Sequence, residues 1–201
     1  MKNKLISIIV CLVFFNIMTF AQVKEIKTDI YTSIYNEEYQ QPLVVSYTIF
    51  CDPSSPTYDR GGITFKTYSG LTSSTSSDYE DNVYDKGHMA PANTFACSQK
   101  WLKETFSYAN CALQHKGLNR GTWAQLERFE RNLAGLYDDV QVRIEVFFSD
   151  KWTKNSDPAR IPSSFVKSIT WVEHDGKEKT ISFDFPNEDT TGKSFWQFQI
   201  D

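Results

Sequence analysis

Tyr84-Asp85-Lys86-Gly87-His88-Met89-Ala90-Pro91-Ala92 and, further on, Leu118-Asn119-Arg120-Gly121-Thr122-Trp123-Ala124-Gln125-Leu126-Glu127 are the two stretches on which the reading of this chain turns. The first sets a histidine between an acid, a base and a glycine, in a segment expected to turn sharply. The second is expected to open a helix with an amide and to place a carboxylate two turns later. Leu118, Leu126, Phe129, Leu133 and Leu136 recur at intervals that keep them on one helical face. Asn119, Trp123, Glu127 and Arg131 fall four apart and form a separate stripe. One face therefore goes to a core, and the other presents amide, indole, carboxylate and guanidinium in a row. An indole in such a row implies that part of the stripe is covered.

Outward from this helix the chain reads mostly as strands. Leu43–Phe50 is rich in β-formers and ends at Asp52-Pro53-Ser54-Ser55-Pro56, a turn signal. Ile63–Tyr68 is a short strand candidate, and Ser69–Asn82 reads as a solvated loop leading to the histidine. Ser98–Glu104 is expected to be a short helix and Thr105–Leu113 a buried strand. Val140–Phe148, Ile161–Val172 and Lys179–Phe185 are further strands, the last two joined by a turn at His174–Lys177. Residues 22–41, with Tyr31, Tyr35 and Tyr39, read as an arm held to the body by its aromatics.

With 201 residues, 40% hydrophobic and 15% aromatic, the chain suits one packed domain and excludes disorder. Residues 1–21 stand apart. Lys2 and Lys4 precede an apolar run from Leu5 to Phe20, and Thr19-Phe20-Ala21 offers a cleavage site. This is the pattern of a secretory signal peptide, which leaves a single domain over 22–201 in a secreted or periplasmic protein with no membrane attachment. A membrane anchor would need a slightly longer run. Without its two lysines, the 21 basic residues fall to 19 against 25 acidic ones, a formal charge of −6. Such a chain gains no affinity for nucleic acid from its overall field, so any attraction must come from local cations. Cys51, Cys97 and Cys111 would give one disulfide and one thiol in an oxidising compartment, with the pairing left open. Their spacing is not that of a zinc site.

Taken singly, the two motifs have ordinary explanations. A loop histidine is more often structural than catalytic, and Glu127 with Arg131 could be a simple surface ion pair. Together they have a chemical logic. Phosphodiester hydrolysis needs an activated water, charge relief on the phosphate and a proton for the departing oxygen. A neutral imidazole is the natural base near pH 7. Mg²⁺ prefers oxygen ligands and keeps most of its waters, so one amide oxygen and one nearby carboxylate suffice. His115, before the helix, and His174, in the expected turn, read as structural or surface residues.

The two motifs, with Thr105–Gln114 between them, resemble the DNA/RNA non-specific endonucleases of the ββα-metal superfamily. Weaker matches reach Arg60, Ile161-Pro162 with Phe165 and Lys167, and Pro186-Asn187, so the resemblance spans roughly residues 40–190. It implies an α+β fold of the ββα-metal type, with a central, mostly antiparallel sheet flanked by helices. It also implies a Mg²⁺ cofactor replaceable by Mn²⁺, DNA and RNA as substrates, 5′-phosphate products and, as one assembly, a homodimer. By position, His88 corresponds to the general base, Asn119 to the direct metal ligand, and Glu127 to the acid that holds the ion's waters. Arg131 matches a phosphate-steadying arginine. Lys86, Arg60 and Arg120 would contact substrate, with Asp85 and Asn110 in support. Lys86 stands where the family has arginine, and Phe147-Phe148-Ser149 where Thr-Gly-Pro is common. Rival readings are a phosphodiesterase of narrower range and a non-catalytic nucleic-acid-binding module.

Overall fold

The computed structural model describes residues 23–201; residues 1–21, read above as a signal peptide, lie outside them. In chain order, β1 (Val23–Lys27), β2 (Thr32–Asn36) and β3 (Gln41–Ile49) are followed by β4 (Tyr84–His88), helix α1 (Gln99–Thr105) and β5 (Cys111–His115). Next come α2 (Lys116–Leu118), a π-helical turn over Asn119–Trp123, and α3 (Ala124–Ala134). The chain ends with β6 (Val140–Trp152), β7 (Arg160–Val172), β8 (Glu178–Pro186) and β9 (Gln199–Ile200). Seven strands pair antiparallel in the order β1-β2-β3-β6-β7-β8-β9, while β4 and β5 form their own two-stranded ribbon. The fold is α+β, as expected.

Period-two alternation explains the large sheet. Val140, Val142, Ile144 and Val146 of β6 face the core, as do Phe165, Lys167 and Ile169 of β7 and Phe183 and Phe185 of β8. Residues 23–36 form strands β1 and β2 instead of the expected arm. A spacing of four is even and so suits a strand as readily as a helix; Tyr35 lies in β2 and Tyr31 just before it, both buried but in separate parts of the core. Ile63–Tyr68 forms no strand and contributes one bridge, Lys66 to Ser107. Phe147 and Phe148 sit at an irregularity of β6, with Phe148 packed 5.1 Å from the Tyr39 ring.

α3 packs onto the sheet through Leu126 and Leu133, with Phe129 partly covered; Leu136 lies past the helix end and is exposed. The polar stripe departs from its expected course. A π-turn carries more residues per turn than an α-turn, and Gly121 inside it is non-helical, so Asn119 is carried out of line with Trp123, which stays beside Glu127. Trp123 is fully buried against Phe165 and Phe185, at ring distances of 5.6 and 5.7 Å. The fully buried Glu130, which belongs to neither predicted stripe, meets the fully buried Lys167 at 2.5 Å. That approach is ionic and falls outside hydrogen-bond geometry. Tyr47 donates its hydroxyl to the other Glu130 oxygen at 2.7 Å, and the Lys167 ammonium lies 4.3 Å from the centre of the Trp123 ring.

The disulfide joins Cys51 to Cys97, and Cys111 is a buried free thiol 3.2 Å from the Tyr79 hydroxyl. Among the described residues, no helix is long and apolar enough to cross a membrane.

Removing one member of a buried ion pair strands the other's charge, which costs about 3–5 kcal/mol, whereas neutralising both is far cheaper. Urea unfolding should therefore show Lys167→Met destabilised by about that amount. Adding Glu130→Gln to Lys167→Met should recover much of the loss.

Candidate active site

The β4–β5 ribbon fixes the histidine. His88 pairs with Cys111 and Lys86 with Leu113, so the expected turn begins only after the histidine. Gly87 is required here: a Cβ at this position would lie 2.6 Å from the Cβ of Gln114. The ribbon is tied to the sheet by Gln41, which accepts from Leu113 N–H at 3.0 Å. Asn187 accepts from His115 N–H at 2.7 Å and donates to the Leu113 and Pro162 carbonyls. Asn110 is wholly buried and clamps the turn after His88. It accepts from Ala90 N–H at 2.7 Å and donates to the carbonyls of Ala90 and Thr105.

Phe65 and Phe106 flank the His88 imidazole, with ring centres 4.8 and 4.7 Å away. Nε2 is buried without a hydrogen-bond partner, so Nδ1 is the nitrogen that can meet a water. Burial, helped by the Arg60 guanidinium, pushes the imidazole pKa down to about 3. The ring is therefore neutral across the physiological range, with its lone pair available.

Asn119 donates its amide N–H to Asp85 Oδ2 at 2.9 Å. A carboxylate can only accept, so this bond sets the amide orientation and leaves Asn119 Oδ1 free. Arg120 grips the same carboxylate through two bonds of 2.7 Å. Burial alone would raise the Asp85 pKa, but Arg120 and Asn119 outweigh it and hold the group below its ordinary range. Arg120 is thereby committed to Asp85.

Glu127 behaves oppositely. Burial, reinforced by the charge of Glu130, pushes its pKa up to about 7, against the pull of Lys167 and Arg131. The surface ion pair that Glu127 and Arg131 could have formed is not among the ion pairs of the described residues.

His88, Asn119 and Glu127 line one cavity of about 620 Å³, together with Arg60, Lys86 and Arg120. Lys86 reaches Ser76 Oγ at 3.1 Å and lies over the Tyr79 ring; neither Lys86 nor Arg60 is paired with a carboxylate among the described residues. Arg131 is not in the lining, and its Nη1 is buried without a partner. Lys116 does line the cavity, donating to the Asn82 carbonyl at 2.8 Å. The sequence reading missed it, although its place just before Asn119 was the available signal. His115 accepts from Gly117 N–H through Nδ1, and His174 lies near Tyr137; neither lines the cavity. A free amide oxygen and a carboxylate, with no thiolate beside them, suit a hard cation that keeps most of its waters.

The family model described as DNA/RNA non-specific endonuclease matches residues 16–201. The chain belongs to this family. Within it, the chain is 34% identical over 131 residues to Nuclease C1 of Cunninghamella echinulata var. echinulata, a match covering 59% of this chain and 51% of that protein. It is 38% identical over 68 residues to mitochondrial Endonuclease G of Bos taurus, covering 34% of this chain and 23% of that one. The matched region thus spans about half of Nuclease C1 and less of Endonuclease G. A crystal structure of the EndoG/EndoGI complex, addressing the mechanism of EndoG inhibition, shares the fold with a TM-score of 0.79. The two are 26% identical, over 88% of this chain and 80% of that chain.

The two shifted groups load stability in opposite directions. His88, depressed from 6.5 to about 3, stays neutral in the fold while the unfolded chain takes a proton, so stability falls as pH drops below about 6.5. Glu127, raised from 4.5 to about 7, contributes stability at low pH that is lost between about pH 4.5 and 7. Melting curves without added metal should show Glu127→Gln gaining on the parent protein as pH rises through that window. His88→Gln should blunt the decline between pH 6.5 and 4.

Proposed function

We propose that the chain is an exported, Mg²⁺-dependent endonuclease that hydrolyses internal phosphodiester bonds of DNA and RNA with little sequence preference, leaving 5′-phosphates. The observation that carries this reading is the meeting of a neutral histidine, an oriented amide oxygen and a half-buried carboxylate in one cavity that basic side chains also line. Family membership points the same way. Mn²⁺, with similar oxygen-ligand chemistry, would substitute.

His88 Nδ1 takes a proton from the attacking water; its neutral state and the Asn110 clamp keep it ready to do so. Asn119 Oδ1 would hold the cation directly, and Glu127 its coordinated waters. The cation, when bound, supplies charge relief on the phosphate and an acid for the departing oxygen. Lys86, Arg60 and Lys116 draw the phosphodiester in. Arg120 acts through Asp85, and thereby on the Asn119 amide. Arg131, which favours the charged form of Glu127, acts on the carboxylate more readily than on the phosphate. Export is supported by the basic-then-apolar opening of the sequence and by the Cys51–Cys97 disulfide, which suits an oxidising compartment.

Digestion of plasmid and of RNA with Mg²⁺, and its arrest by a chelator, tests the activity. His88→Ala should lower turnover by about 10²–10⁴-fold, and near-parental turnover would refute its role. Because the chain is acidic overall, phosphate contacts are confined to the few cations of the cavity. Plotting log affinity against log salt should give a slope magnitude of about 2–4. A slope near 10 would mean that binding is spread over a broad basic surface.

A further inference from the structure

Next to the candidate active cavity lies a second cleft, of about 420 Å³, that no step of the reaction uses. Tyr84 lines both, so the two adjoin across one side chain. The far wall is Trp152, at the end of β6, which remains 39% exposed. Its ring is braced from within the fold. Arg160 lies 5.5 Å from the ring centre and is itself fixed by bonds of 2.7 Å to the Ser149 carbonyl and to Asp150. Tyr39 meets the same indole edge-on at 6.1 Å.

The walls are locked together by one buried carboxylate. Asp78, 1% exposed, accepts from Thr153 Oγ1 at 2.7 Å, Asn155 Nδ2 at 2.6 Å and Ala159 N–H at 3.2 Å through one oxygen. Its other oxygen takes Thr75 N–H at 2.8 Å. The hairpin carrying Trp152 is thus docked on the segment that leads into β4, and the cleft is preformed.

Its chemistry differs from that of the active cavity. Glu80 and Asp81 line it and make no ion pair among the described residues, against a single cation in the lining, Lys154. Unpaired carboxylates repel a phosphate, yet they accept hydrogen bonds from ring and exocyclic N–H groups. A rigid indole face beside such acceptors fits a flat, neutral, N–H-bearing ring.

We infer that this cleft is a base-binding subsite: an unpaired nucleobase next to the scissile phosphate stacks on Trp152, with its N–H edge turned towards Glu80 and Asp81. This rests on the nuclease reading above. A base inside a duplex cannot reach such a face without unstacking, so the subsite favours single-stranded DNA or RNA at the point of cutting.

The test is a double-mutant cycle on binding, with His88→Ala as the uncut background and Mg²⁺ present. Single-stranded tetranucleotides, intact or with one abasic position, are titrated against the Trp152 parent and Trp152→Ala. At one position, removal of the base should weaken binding to the parent by roughly 5- to 50-fold, the usual scale of base–aromatic stacking. Trp152→Ala should weaken the intact ligand comparably, and the two losses should not add. Trp152→Leu keeps the apolar bulk and should fail likewise, while Trp152→Phe should recover most of the affinity. Losses that add, or Trp152→Ala binding as the parent does, would overturn the inference. So would abasic ligands bound as tightly as intact ones at every position, which would mean that the cleft takes backbone. Digestion by the unmodified protein separates the two readings. If it cuts nothing, both fall; if it cuts and the cycle fails, only the base subsite falls.

Discussion

The ion pair between Glu130 and Lys167 anchors the helix that carries Glu127 to the strand beneath it. Two fully buried charges are costly to desolvate, and their attraction offsets that cost only while the geometry holds. Helix and sheet are thereby restricted to one register, because a shift along β7 would separate the charges in a medium that cannot screen them. Tyr47, donating to the same carboxylate, extends the constraint to β3. Trp123, packed over the Lys167 ammonium, extends it to the π-turn that begins at Asn119. The site's amide and carboxylate thus hang from one buried contact, which also sets their electrostatics: Glu130 raises the pKa of Glu127 while Lys167 lowers it.

The histidine side of the cavity is built by other means. Neutral hydrogen bonds from Gln41, Asn110 and Asn187 hold the β4–β5 ribbon, and aromatic rings enclose the imidazole. Burial and the Arg60 guanidinium are what hold the His88 pKa down. The two halves therefore carry opposite proton preferences, a neutral base facing a carboxylate reluctant to ionise. A cation placed between them would favour the ionised Glu127 without protonating His88. The acidic overall charge is no obstacle to this arrangement, since Asp85 neutralises Arg120 while leaving Lys86, Arg60 and Lys116 free to face the cavity.

How far the sequence disclosed this follows from the range of each signal. The long strands, α3 and its leucine face were legible because they repeat a local period. His88, Asn119 and Glu127 were legible because their motifs join unusual residue types at close spacing. Trp123 hinted at a covered stripe, and the structure covers it. Local reading failed where pairing is remote. An even spacing of tyrosines suits helix-like packing and strand alike, so β1 and β2 passed for an arm. Glu130 lies off both helical stripes, and nothing near it in sequence announces Lys167. Likewise, no local pattern could show that Asp78, within an apparently solvated loop, would become the buried tie to the 152–159 hairpin.

The disulfide has a further consequence for how this molecule can change. Cys51 and Cys97 fasten the start of an exposed excursion to the ground next to α1. Near its far end Lys66 donates to the Phe106 carbonyl and accepts from Tyr108 N–H, and Tyr58 N–H reaches the Ala96 carbonyl. Between these moorings the chain around Arg60 packs little of the core. Lengthening a loop whose ends are already fixed raises its closure entropy only logarithmically. This excursion can therefore gain, lose or exchange residues with slight effect on folding, while the reach of its arginine over the cavity changes with each alteration. The position of Arg60 at the cavity and the integrity of the scaffold are separately adjustable here.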